Sequence, residues 1–379
     1  MRILLVCEAV FPYNKGGVER WFQQVGNYFT TNGHSVTYFN SASVSGLYEG
    51  INYVASSDKK WGYKSGGVRS KLQAVRFAIS LYRWLRNYEG EVIYCSAVPI
   101  ISIFAVAVSN LKRRRVVFVE WFEIWPLKYW IKYAGYISGP IGWFIQFLAL
   151  QLGNLRIVYT DRANSQIKSQ SIGRRKRIMQ LPGLCPSNMP LTTEESSHIR
   201  RDSYFLGRLV SEKQPLLFIE TAFELSRESS LSHFWIMGTG PLAGVVKSRI
   251  MELGLESKVT LLENPSDEQI LQVTSKCFLL FNPSMREGYG LVSVEAAYQG
   301  IPVMLINYPD NASVDLEICP ELVIEARNLN QIKDKYLWAF ENQEVLRKQA
   351  LIWAVDASKN RSADLSLKKI ESLINKSKN

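Results

Sequence analysis

Short apolar runs alternate with helical stretches, twice over, and nothing else in the chain constrains its fold as strongly. Ile3–Cys7, Val36–Phe39, Val92–Cys95 and Val116–Glu120 have strand length, and a helix pattern from about Val18 to Thr30 follows the first of them. The second half restarts with Ser203–Leu206 and a helix from about Pro215 to Leu225. Phe234–Met237, Val259–Leu262, Cys277–Asn282, Val303–Ile306 and Leu322–Ile324 follow as strands. Parallel strands need a crossover, and the crossover helix buries the sheet face, so such strands are apolar on both sides. With 379 residues the chain is too long for one comfortable core. The spacing predicts an α/β protein with two Rossmann-like domains: residues 1–182, a linker at 183–201 rich in Pro, Ser, Thr and Asn, residues 202–352, and a helical segment at 353–379. In such layers ligands sit beyond the C-terminal ends of the strands.

The net charge of +11 is unevenly distributed. Residues 1–200 carry 25 Lys and Arg against 11 Asp and Glu, whereas residues 201–379 carry 20 against 23. The basic excess, clustered at Lys112–Arg115 and Arg174–Arg177, therefore belongs to the first half and implies an anionic partner there. Nucleic acid is not expected, since no nucleic-acid-binding motif is present. From Val68 to Arg86, Arg69, Arg76 and Arg83 recur on one helical face with Leu72, Val75, Ile79 and Tyr82 opposite. Further on, Trp125, Tyr129, Trp130, Tyr133, Tyr136, Trp143 and Phe144 mix with Lys128 and Lys132. Aromatics beside cations suit peripheral contact with an anionic membrane surface. No apolar run reaches a membrane span, the best being Ala97–Ser109, and the N-terminus lacks a signal-peptide cleavage site. Five scattered cysteines without a Cys-x-x-Cys pair argue for a reducing compartment and against zinc. The expected location is the cytoplasm, at the face of a membrane.

Four runs carry chemistry. Glu287-Gly288-Tyr289-Gly290-Leu291 leads to Glu295, so two carboxylates lie eight positions apart, one on each side of a Gly-aromatic-Gly turn. The glycines let backbone amides approach a ligand at a helix start, and the carboxylates accept hydrogen bonds from polyol hydroxyls. Gly16-Gly17-Val18-Glu19 joins the first strand to its helix and presents free amides to an anion. Gly207-Arg208-Leu209 with Lys213 places two cations near a helix start, where an anionic ligand would explain them. Gly238-Thr239-Gly240-Pro241 ends a strand in a glycine turn. There is no G-x-G-x-x-G run, so a dinucleotide cofactor is not expected.

Together these runs resemble the family-4, or group 1, retaining glycosyltransferases of the GT-B fold. The resemblance covers nearly the whole chain and is densest from Gly207 to Ala312, where Tyr308-Pro309-Asp310-Asn311-Ala312 also matches. It implies two facing Rossmann-like domains with a donor and acceptor cleft between them, and a C-terminal segment that crosses back to the first domain. It implies a nucleoside diphosphate sugar donor, a glycan or lipid-linked glycan acceptor, and no cofactor or metal. By the same resemblance Gly16 and Gly17 lie over the donor phosphates, Gly207, Arg208 and Lys213 hold the diphosphate, and Gly238 and Gly240 approach the nucleotide. Glu287 with the amides of Gly288, Tyr289, Gly290 and Leu291 then holds the sugar, and Glu295 the ribose, which makes Glu287, Arg208 and Lys213 the catalytic set.

Two departures stand out. Phe122, followed by Glu123, occupies the place of a family His that meets the donor sugar near its C6 hydroxyl. Leu181-Pro182-Gly183-Leu184-Cys185 replaces the family's Pro-Asn-Gly-x-Asp. The first admits a donor without a C6 hydroxyl, such as a 6-deoxyhexose or a pentose. Both also admit a catalytically silent, glycosyltransferase-like scaffold. A sugar-nucleotide epimerase of related architecture would need catalytic residues that have no counterpart here.

Overall fold

In a computed structural model the chain forms two compact units, Met1–Leu184 with Ala363–Asn379, and Cys185–Ser362. The structure describes residues 1–376 apart from 14–15, 42–43, 58–70, 173–177, 187–198, 229–230, 232 and 326. The basic cluster Arg174–Arg177, Arg69 and most of the expected linker therefore lie outside the described residues.

The first unit is built on a sheet of β1 (Arg2–Val6), β2 (Ser35–Asn40), β3 (Gly46–Tyr48), β4 (Ile51–Ala55), β5 (Val92–Ser96), β6 (Val116–Glu120), β7 (Leu155–Val158) and β8 (Ile178–Gln180). The order is β3-β4-β2-β1-β5-β6-β7-β8, parallel except for the β3–β4 pair. Leu4, Val6, Ile93, Cys95, Val117 and Val119 form its core with Phe77, Leu81 and Trp121. Four of these strands, β3, β4, β7 and β8, are not visible as apolar runs. The edge strand β3 is exposed throughout, and β7 carries the buried Arg156, whose guanidinium donates to the Leu150 carbonyl at 2.8 Å.

The second unit has a parallel sheet of β9 (Asp202–Leu206), β10 (Phe234–Met237), β11 (Val259–Leu262), β12 (Cys277–Asn282), β14 (Val303–Ile306) and β16 (Val323–Ile324), in the order β11-β10-β9-β12-β14-β16. A separate two-stranded pair joins β13 (Arg286–Glu287) to β15 (Asp310–Asn311). All five cysteines are free and buried, packed as small core residues.

Three expectations need correction. The helix Gln343–Asn360 stays with the second unit, burying Ala350, Ala354 and Ala357 where it packs on the helix Leu291–Tyr298. The segment that returns to the first unit begins at Ala363, not 353. It is held there by Glu371, which accepts from the Tyr28 hydroxyl at 2.8 Å and lies 3.2 Å from His34 Nε2, and by Ser366 against the Gly183 backbone. Cys185 belongs to the second unit rather than to a linker, its amide donating to the Arg361 carbonyl at 3.1 Å. In the helix Lys71–Leu85, Leu72, Val75, Ile79 and Tyr82 share one exposed face with Arg76 and Arg83 instead of lying opposite them. The helix buries Phe77, Ala78, Leu81 and Leu85.

Candidate active site

The C-terminal strand edge of the second unit gathers the candidate residues. Gly207 and Arg208 leave the end of β9, Lys213 closes a single 3-10 turn (Ser211–Lys213), and Glu287 ends β13. Lys213 Nζ donates to Glu287 Oε1 at 2.5 Å, and Asn282 Nδ2 reaches the same oxygen at 3.3 Å. Both charged side chains keep some exposure, 24% and 15%, so the pair borders solvent rather than lying in the core. The structure thus joins two residues that the resemblance assigns to different parts of a donor.

Gln214 and Met285, not singled out in the sequence, hold this pair together with Tyr308 and Asn311 of the matching run. Gln214 takes a left-handed conformation at φ 53°, and its Nε2 donates to the Pro283 carbonyl at 2.6 Å and to the Tyr308 hydroxyl at 3.0 Å. Met285 donates its amide to the Glu212 carbonyl at 2.8 Å. These bonds clamp the loop carrying Lys213 to the loop carrying Glu287. The β13–β15 pairing sets Glu287 opposite Asn311. Asn311 is anchored in turn, donating to the Ile306 carbonyl and accepting from the Ser313 amide, each at 3.1 Å. Polar side chains two residues from a turn were the available signal, but only the fold shows which backbone groups they meet.

The glycines divide by reason. Gly290 starts the helix Leu291–Tyr298 at φ 92°, and a Cβ there would lie 2.1 Å from Ser313 Oγ. Only glycine suits that turn. Gly238 and Gly240 are packed against backbone of their own unit, a Cβ falling 1.9 Å from the Gly207 carbonyl oxygen and 2.5 Å from that of Leu209. Their close approach is to the neighbouring strand end. Gly288 lies half-buried beside the buried Tyr289, whose hydroxyl is 3.6 Å from Cys185 Sγ. Burial pushes that thiol up to about 11, so it is no nucleophile near neutrality. Glu295 lies in the second turn of the helix, half-buried. Arg208 is exposed.

Gly16, Gly17, Phe122 and Glu123 belong to the first unit. Gly16 caps the helix Gly17–Thr31, with the Glu19 carboxylate folded against it. Phe122 stacks on Tyr159 with ring centroids 5.6 Å apart, and Glu123 accepts from Trp125 Nε1 at 3.0 Å. The missed residue is Glu120. It ends β6 fully buried, and its Oε1 accepts from Trp21 Nε1 at 2.6 Å, from the Tyr94 hydroxyl at 2.9 Å and from the Tyr159 hydroxyl. Its Oε2 is buried with no hydrogen-bond partner. Burial pushes its carboxyl up to about 7, against the pull of those three donors. One carboxylate thereby ties the helix behind Gly16–Gly17, through Trp21, to the ring under Phe122.

Residues 195–351 match the family model described as glycosyl transferases group 1. Alpha-D-kanosaminyltransferase of Streptomyces kanamyceticus is 25% identical over 44% of this chain and 46% of its own length. An uncharacterized glycosyltransferase of Methanocaldococcus jannaschii is 27% identical over 37% of this chain and 38% of its own. The chain thus spans less than half the length of these curated relatives. Among solved structures, sucrose-phosphate synthase of Thermosynechococcus elongatus superposes with a TM-score of 0.79 at 14% identity, covering 99% of this chain and 98% of that one. HepE of Anabaena, solved with UDP and glucose, superposes with a TM-score of 0.76 at 14% identity, covering 99% of both chains. WaaG, a glycosyltransferase involved in lipopolysaccharide biosynthesis, gives 0.75 at 14% identity, covering 98% and 99%. These likenesses extend the fold beyond the matched segment to the whole chain.

Proposed function

We propose, for a chain whose second unit belongs to the group 1 glycosyl transferases and whose fold is that of the GT-B enzymes, that it transfers a sugar from a nucleoside diphosphate donor to a glycan or lipid-linked glycan, with retention at the anomeric carbon. The observation that carries the reading is the Lys213–Glu287 pair beside the Gly288–Gly290 turn, at the C-terminal edge of a parallel sheet. Lys213 and Arg208 bring fixed positive charge to where a leaving diphosphate gains negative charge, which is the most effective use of such groups. Donor binding would share Lys213 between Glu287 and phosphate, leaving Glu287 to accept from sugar hydroxyls.

In the step itself the bond from the anomeric carbon to the diphosphate oxygen breaks. The acceptor oxygen bonds to that carbon on the same face, and its proton passes to the departing phosphate. No enzyme nucleophile is needed, and the two cations take the role a metal would otherwise have. The helix-start backbone of Gly16–Gly17, with Phe122 and Glu123, would supply the first unit's contacts to donor and acceptor. In this reading the acceptor is presented at the cytoplasmic face of a membrane.

The test is nucleotide release from a panel of UDP-, GDP-, ADP- and dTDP-sugars, in the presence of soluble and lipid-linked glycans. Selective release, lost in Glu287→Ala, is expected. Donor binding without release under every acceptor would replace this reading with that of a silent scaffold.

A further inference from the structure

Three helices of the first unit lie side by side: Lys71–Leu85 packs on Ile101–Ser109, which packs on Leu127–Ala149. None of them contains an acidic residue. The segments joining Glu89 to Asp161 supply only Glu91, Glu120 and Glu123, of which Glu120 is buried and Glu123 is bonded to Trp125. A solvated helix face in a globular protein ordinarily mixes both signs of charge, so this layer is unusual in composition.

Its outer surface is apolar as well as basic. The longest helix breaks at Gly135, which takes φ 84°, and the part beyond the break buries Gly139, Gln146 and Ala149. Ile137, Ile141, Phe144 and Leu148 recur at spacings of four, three and four on the opposite face, 83%, 57%, 54% and 40% exposed. Tyr136 beside them is 87% exposed. From Tyr133 to Leu155 the sequence has no charged residue at all. On the neighbouring helix and its exit, Val108 and Leu111 are exposed, followed by exposed Lys112 and Arg114. On the outer helix Leu72, Val75, Ile79 and Tyr82 are exposed among exposed Arg76, Arg83 and Arg86. Lys128 and Lys132, both exposed, precede the break on the longest helix.

We infer that this three-helix layer lies on an anionic lipid bilayer, with Tyr136, Ile137, Ile141 and Phe144 entering the interface and Lys128, Lys132, Arg76 and Arg83 meeting phosphate headgroups. An interfacial element needs exposed apolar side chains for the acyl boundary and cations for the headgroups, both on one face. No helix is long and apolar enough to cross a membrane among the described residues, so the contact is peripheral. A second copy of the chain is a poor occupant. A symmetric contact sets the same patch against itself, bringing cation to cation with no carboxylate to pair. Nucleic acid would leave Ile137, Ile141 and Leu148 in water, since phosphates have no use for aliphatic side chains. The inference deepens the reading of a membrane-presented acceptor and rests on it, but the two fail separately.

The test is sedimentation of the full chain with vesicles of phosphatidylcholine alone and with added phosphatidylglycerol. Binding is expected only with the anionic lipid, weakening as salt rises. Ile141→Glu with Phe144→Glu should abolish it, and Lys128→Glu with Lys132→Glu should weaken it by at least about fivefold per site. Lys348→Glu, an exposed residue of the second unit, controls for net charge alone and should bind like the wild type. Turnover of a soluble acceptor should be unchanged in every variant, which separates contact from catalysis. Equal binding of wild type and the double Glu variant to anionic vesicles would overturn the inference. So would no vesicle binding together with a concentration-dependent dimer that the double Glu variant abolishes.

Discussion

Two glutamates end strands, Glu120 on the sheet of the first unit and Glu287 on the two-stranded pair of the second, and they live in opposite circumstances. Glu287 keeps partial exposure and a direct cation, Lys213 at 2.5 Å. Glu120 is fully buried, meets only neutral donors on one oxygen and has nothing on the other. A carboxylate with a cation and solvent stays charged at little cost, whereas one held by neutral donors in a dry site is pushed toward its protonated form. The second unit therefore keeps its charge where a ligand could use it. The first unit uses its carboxyl to fix the positions of Trp21, Tyr94 and Tyr159, and through Tyr159 the ring of Phe122.

The largest effect should come from breaking the buried cluster. Glu120→Leu strands the Trp21, Tyr94 and Tyr159 donors, at about 1–3 kcal/mol each, and should cost on the order of 3–5 kcal/mol by denaturant titration. Lys213→Ala is expected to spare the fold but to lower kcat by about 10²–10³, since it removes one fixed charge from the departing diphosphate and leaves Glu287 uncompensated. A similar loss of stability and activity together would show that the pair is structural.

The pH dependence sharpens the contrast. The carboxyl of Glu120 is raised from 4.5 to about 7 in the folded protein, so the native state binds the extra proton in that interval. The stability it contributes is fully present below about 4.5 and is lost as pH rises through about 7, on the order of 3 kcal/mol in all. Glu120→Gln keeps an acceptor for the donors and cannot ionise. Its melting temperature should therefore gain on that of the wild type as pH rises across the interval, and parallel curves would remove the buried-carboxyl account.

Gly290→Ala should destabilise by about 1–3 kcal/mol through the φ of 92° and the contact with Ser313, measured as a fall in melting temperature. The smallest effect concerns donor choice. An apolar ring leaves a C6 hydroxyl unpaired at about 1–3 kcal/mol, so wild type should favour a 6-deoxy donor about tenfold in kcat/KM and Phe122→His should lose that preference. Equal use of both donors by the wild type would sink the idea.

Much was legible in the sequence because it is written locally. Strand length, apolar content and glycine at helix starts determined two parallel α/β units, and contiguous runs named Gly207–Lys213 and Glu287–Glu295 as the candidate site. Contacts between distant positions were not legible. The pairing of Lys213 with Glu287, the clamp of Gln214 on Pro283 and Tyr308, and the meeting of Trp21, Tyr94 and Tyr159 at Glu120 join residues 69 to 99 positions apart or more than 20 from their partners. The facing of the Lys71–Leu85 helix was likewise settled only by what it packs on, because both of its faces carry apolar residues. Periodicity reports which residues share a face. Which face is buried, and which polar group meets which across the sheet, depends on the neighbours that tertiary structure supplies.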